Sequence, residues 1–155
     1  MRSNIASTYS TLGRFEEALR LRRVAYREHL KLNGKEHPST LVAANSYADS
    51  LISLERFEEA KVLLRKTMPV ARRVLGESAD LTFKMRLMYA AALYDDPAAT
   101  LDDLSEAVTR LEDAQRIARR VLGAAHPLTA AIERTLRDKR AVLCARETPP
   151  PGGGA

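Results

Sequence analysis

The sequence predicts an all-α fold: a solenoid of antiparallel helix pairs, about three units long, with a terminal helix closing the stack. Three observations predict it. The string Leu12-Gly13-Arg14-Phe15-Glu16-Glu17-Ala18 returns as Leu54-Glu55-Arg56-Phe57-Glu58-Glu59-Ala60, 42 residues later. Small residues come back in the same phase, with Ala6, Ala48 and Ala90 in one column and the larger Ile5, Tyr47 and Tyr89 in the column before it. Glycine and proline stand mainly where helices would start or stop, at Gly34 with Pro38, Gly76, Pro97, and Gly123 with Pro127. A fixed period of this length is the mark of a repeat architecture, whose two-helix units cannot bury their apolar faces alone and so stack.

The 155 residues suggest a single domain, able to bury roughly 70 % of its unfolded surface. Composition is 45 % apolar but only 5 % aromatic, with no Trp, so Ala and Leu must fill the core, which favours close helix–helix contact. One cysteine, Cys144, excludes an internal disulfide framework and fits a reducing, cytoplasmic compartment. No run approaches the ~20 apolar residues of a membrane span. Met1-Arg2-Ser3-Asn4 leads into a polar amphipathic segment rather than the apolar core of a signal peptide. The net charge of +5 is spread along the chain, as on a solvated helix surface.

In order, helices are expected at about 3–12, 15–32, 38–54, 57–75, 79–94, 100–122 and 127–146. The second carries Phe15, Ala18, Leu21, Ala25 and Leu32 on one side. Pro38 and Pro127 sit at first-turn positions, where a missing N–H costs nothing. Gly76 and Gly123 are left-handed stops. Pro69 alone falls inside a predicted helix, where it removes a hydrogen bond. The tail 147–155, rich in Pro and Gly, has nothing to bury and is expected to be disordered.

The 42-residue register also pairs Gly34 with Gly76 and Thr40 with Thr82. The next unit is longer: Ala60 aligns with Ala107, Gly76 with Gly123 and Thr82 with Thr129, all 47 apart. Five residues are therefore inserted, around Asp95-Asp96-Pro97-Ala98-Ala99, in the turn between paired helices where length is cheapest. Units are expected at 1–34, 35–76 and 77–123, with a cap helix at 124–146. Arg137 takes the small-residue column in that last helix, and with Arg134, Lys139 and Arg140 nearby it predicts a solvated cap.

The large–small–x–x–large pattern followed by Arg-Phe-Glu-Glu-Ala resembles the tetratricopeptide repeat. The connector Leu122-Gly123-Ala124-Ala125-His126-Pro127-Leu128-Thr129 is similar to that of its kinesin light chain type. Asn33-Gly34-Lys35-Glu36-His37-Pro38-Ser39-Thr40 matches that connector in all but its first position, and Leu75 to Thr82 keeps Leu-Gly and Thr. The resemblance covers about residues 3–145. It implies a right-handed solenoid and a non-catalytic scaffold that binds a peptide segment in its concave groove. The groove positions it implies are Asn45, Asp49, Lys84, Leu87, Tyr94 and Arg134, with Asp138 beside the last. An Asn there can hold a peptide backbone, and Lys84 and Arg134 can receive acidic side chains. Kinesin light chains reach their motor through a heptad-bearing helix; this chain shows none, so motor association is not implied. The first unit would begin before residue 1, as in a fragment, a truncated array or an incomplete gene product.

The other candidates read as structure. His37 and His126 precede proline at equivalent helix starts and are expected to cap. His29 has no second ligand at a helical step, and Cys144 has no partner motif, so no metal, cofactor or catalytic set is expected. Arg72-Arg73 and Arg119-Arg120 complement the last helical turns, and Glu16-Glu17, Glu58-Glu59 and Asp102-Asp103 the first. With Arg22-Arg23 on a basic outer face, the rival reading is RNA or another polyanion bound to the convex side, against which stands the lack of interleaved aromatics.

Overall fold

Each Phe-Glu-Glu-Ala string opens a helix, and each His-Pro pair opens another. In the computed structural model, which describes residues 14–148, the helices are α1 (Phe15–Asn33), α2 (Pro38–Ser53), α3 (Phe57–Leu75), α4 (Asp80–Tyr94), α5 (Leu101–Val121) and α6 (Pro127–Glu147). No strand occurs among the described residues, and the expected boundaries hold to within about two residues. The helix expected at 3–12 lies outside the described residues, as does the tail expected at 147–155 apart from Glu147, which ends α6, and Thr148 after it.

The starts and stops have local causes. The imidazole Nδ1 atoms of His37 and His126 accept from the backbone N–H of Ser39 and Leu128, each at 3.1 Å, with proline in the first turn behind them. Thr100 and Asp103 form a reciprocal capping box at the head of α5. Glu16, Glu17, Glu58, Glu59, Asp102 and Asp103 occupy first turns, where the exposed N–H groups favour negative charge. At the other ends, Gly34, Gly76 and Gly123 all take positive φ, as the connector requires. Glu55 is the one described non-glycine residue with positive φ, in the turn where the earlier copy of the string has Gly13.

The chain divides into two compact units, Met1–Ala92 and Leu93–Ala155. In the first, α1 packs on α2 and α2 on α3. Ala18, Ala44, Ala48 and Ala60 have no exposed surface at all, which is what lets the helix axes approach closely, and Leu41, Leu51, Leu64 and Met85 fill the space beside them. Two equivalent contacts tie successive helices together. Arg23 Nε donates to the Tyr47 hydroxyl at 3.0 Å with its guanidinium 5.8 Å from the ring centroid, and Arg65 does the same to Tyr89 at 2.8 Å and 5.6 Å. Thr40 adds a bond to the His29 carbonyl of the preceding helix. Leu32, expected on the buried side of α1, stands in its last turn and is 80 % exposed, and Phe15 is also exposed; burial is carried by Ala18, Leu19, Ala25 and Tyr26 between them.

In the second unit α5 packs on α6. Ala107, Leu111, Ala114 and Ala118 of α5, and Thr129, Ile132 and Leu136 of α6, are buried. The last residue of α4 and the inserted turn both meet α6: Lys139 Nζ lies 4.4 Å from the Tyr94 ring centroid, and Arg146 donates to the Ala99 carbonyl at 3.0 Å.

Candidate functional site

The first unit carries a cleft of about 350 Å³ lined by Arg22, Asn45, Ser46, Asp49, Lys84, Leu87 and Met88. Asn45 and Asp49 are four apart on α2, so one helical turn stacks them on the same face, and Lys84, Leu87 and Met88 share a face of α4 for the same reason. Four of the six groove positions implied by the resemblance, Asn45, Asp49, Lys84 and Leu87, thus line one concavity. Tyr94 and Arg134 belong to the second unit: Tyr94 is half-buried beneath Lys139, and Arg134 and Asp138 are exposed on α6.

Polar and apolar elements alternate in the cleft. Leu87 and Met88 offer partly exposed apolar surface. Lys84, on the rim, pairs with Asp80 at 2.9 Å, an exposed i,i+4 contact that constrains it little. The Asn45 side-chain oxygen is fully enclosed and has no hydrogen-bond partner among the described residues. Turning the amide over would leave an unsatisfied donor in the same place. An enclosed polar atom without a partner is rare in folded proteins, because it loses its water and gains nothing in exchange.

Arg22 is a correction. Read from the sequence as part of a basic outer face, it is only 8 % exposed and lies at the cleft. Its Nη1 reaches the Ser50 hydroxyl at 2.7 Å, the Ser46 carbonyl at 3.3 Å and an Asp49 carboxylate oxygen at 3.5 Å. Ser46 and Met88 were likewise not singled out. A signal for Arg22 was present in the register, since the equivalent positions hold Leu64 and Leu111. In each of the other arginine pairs one member is engaged with an acid: Arg73 with Glu36, and Arg119 with Glu133 at 2.6 Å. Among the described residues no cluster of His, Cys, Asp and Glu could hold a metal ion, and no helix is long and apolar enough to cross a membrane.

Two models of the tetratricopeptide repeat match the chain, one over residues 1–73 and one over residues 98–128. No curated protein matches it. Among solved structures, the nearly identical tetratricopeptide-like repeats assigned to a Podosopora anserina kinesin light chain, and a single-substitution variant of them, each superpose with a TM-score of 0.79 at 22 % identity. BtubC (BKLC) from P. vanneervenii superposes at 0.59 and 14 % identity, over 99 % of this chain and 67 % of that one. The match to the Podosopora anserina repeats covers 89 % of this chain and 63 % of theirs. At these identities the likeness is one of fold: an all-α array of paired helices.

Proposed function

Because the chain belongs to the tetratricopeptide repeat family, in its kinesin light chain-like form, we propose that it is a non-catalytic protein-interaction module that seats a peptide segment in the cleft of its first unit. The observation that carries this reading is the enclosed, unpartnered Asn45 side-chain oxygen beside partly exposed apolar surface from Leu87 and Met88. A primary amide offers both a donor and an acceptor, the pair that an extended backbone presents in return. Leu87 and Met88 would take an apolar side chain, and Met adapts to several shapes. Lys84 would pair with an acidic side chain, its contact to Asp80 being exposed and easily exchanged.

The test is capture of partners from the native cell extract by the immobilised chain and by an Asn45→Ala, Lys84→Ala variant. Removing one buried hydrogen-bonding group costs about 1–3 kcal/mol, so a partner held in the cleft is expected to be retained about tenfold less well or worse. Equal retention by both proteins would discard the cleft as the binding site.

A further inference from the structure

We propose that Arg22 sets what the first-unit cleft accepts, by giving its guanidinium to an oxygen acceptor, carboxylate or carbonyl, on the seated segment. This rests on the cleft being a peptide site, as argued above. The chain supplies its own reference for what the position needs. At the equivalent positions of the next two repeats stand Leu64, fully buried, and Leu111, nearly so. Ser50, which receives the shortest Arg22 contact, has Ala92 as its equivalent, also fully buried. The pairing of Arg22 with Ser50 is therefore built one repeat on from Leu64 and Ala92, with no cation, while the column beside Leu111 holds Lys139. Taking a guanidinium out of water is costly, and a well-packed apolar pair in its place is often neutral or stabilising. Packing does not require Arg22, and it sits where it faces the cleft.

The contacts indicate how it would act. One Nη1 carries two hydrogens, yet three oxygens lie within 3.5 Å of it. The Asp49 contact is the longest of these, and the Asp49 side chain is 63 % exposed, so it can swing into water. An incoming oxygen would take the place of Asp49 on Arg22, within the cleft that Asn45 and Lys84 also line. Charge-assisted bonds of this kind are about twice as strong as neutral ones and fix direction as well as affinity.

The experiment uses the full chain and two capped peptides, acetyl-Leu-Glu-Leu-Glu-Leu-amide and its Gln counterpart, titrated by NMR with the Asn45 side-chain amide and the Arg22 Nε–H as reporters. The comparison protein is the Arg22→Leu, Ser50→Ala double variant, which copies Leu64 and Ala92 of the chain's own next repeat. Arg22→Met is a second variant that keeps Ser50. The expected result is binding of the Glu peptide, weakened at least tenfold in both variants, with the melting temperature of the double variant unchanged or raised. Equal binding of the Gln peptide, lost in the same variants, supports a carbonyl oxygen as the group accepted. If either variant binds like the parent, or if the double variant melts well below it, Arg22 has no specificity role and the cleft reading survives. If neither peptide moves the Asn45 amide of the parent protein, the inference and the cleft reading both fall.

Discussion

The two compact units join successive helices through the same columns of the repeat by different chemistry. In the first, Arg23 and Arg65 each donate to a tyrosine of the next helix, Tyr47 and Tyr89, and lie over its ring. In the second, the arginine column holds Glu112 and the tyrosine column holds Leu136, which is almost fully buried. There the polar contact is remade one turn along, from Arg140 to Glu112 at 3.2 Å, and Glu133 takes Arg119 and Gln115 beside it. The outward columns diverge further. Positions that in α2 hold Ala44, Ala48 and Leu51, all buried, hold Glu133, Arg137 and Arg140 in α6. A helix that must be covered on both sides keeps small and apolar residues in those columns, whereas α6 carries charge there. We read this as the reason α6 would serve as the cap of the stack.

The sharpest way to break the comparison is to exchange residues between equivalent columns. Ala48→Arg places a long cation where there is no exposed surface, and a cost of about 3–5 kcal/mol is expected, read as loss of the denaturant midpoint. The reciprocal Arg137→Ala, on exposed α6, should change stability by less than about 0.5 kcal/mol. A large effect of Arg137→Ala would mean that the charged column carries packing after all. Next in size is Tyr89→Phe, which keeps the ring under Arg65 but removes the acceptor. A loss of about 1.5 kcal/mol is expected by thermal or urea unfolding. A loss as large as that of Tyr89→Ala would show that the hydroxyl, and not the ring, holds the joint.

The smallest effect is one of pH. Hydrogen bonds from Arg119, and then from Gln115, hold the Glu133 carboxyl below its ordinary value. Since the folded state prefers the carboxylate more than the unfolded chain does, the stabilisation is present above the unfolded value of about 4.3 and disappears as the pH falls through the folded one. Urea midpoints from pH 7 to pH 3 should therefore fall less steeply for Glu133→Gln than for the parent. Parallel curves would remove Glu133 from the joint.

The architecture was legible because it is written in columns. Ala48, Ala60, Ala90 and Ala107 could be named as contact residues from their phase alone, and all are buried. Helix ends were legible where they rest on local chemistry, as at His37-Pro38, Gly76 and Gly123. Asn45, Asp49, Lys84 and Leu87 came from the family pattern, and they share a cleft. Arg22 was missed because a basic pair on an amphipathic helix reads as solvated surface, and only the column of Leu64 and Leu111 contradicts that. Leu32 was misplaced because periodicity gives a residue's side of a helix but not how far along it the neighbour extends. Tyr94 is not part of the cleft lining, and its ring lies instead under Lys139 of α6.

The division between the compact units, at Ala92 and Leu93, falls inside α4 and not in a loop. Proteases nick backbone that is already unwound, and such backbone concentrates at exposed loop tips. The seam therefore gives digestion no foothold. First cuts are expected in the connectors around Lys35 and Glu36, or at Pro97 and Ala98, so the fragments released in a limited digest would not coincide with the units themselves.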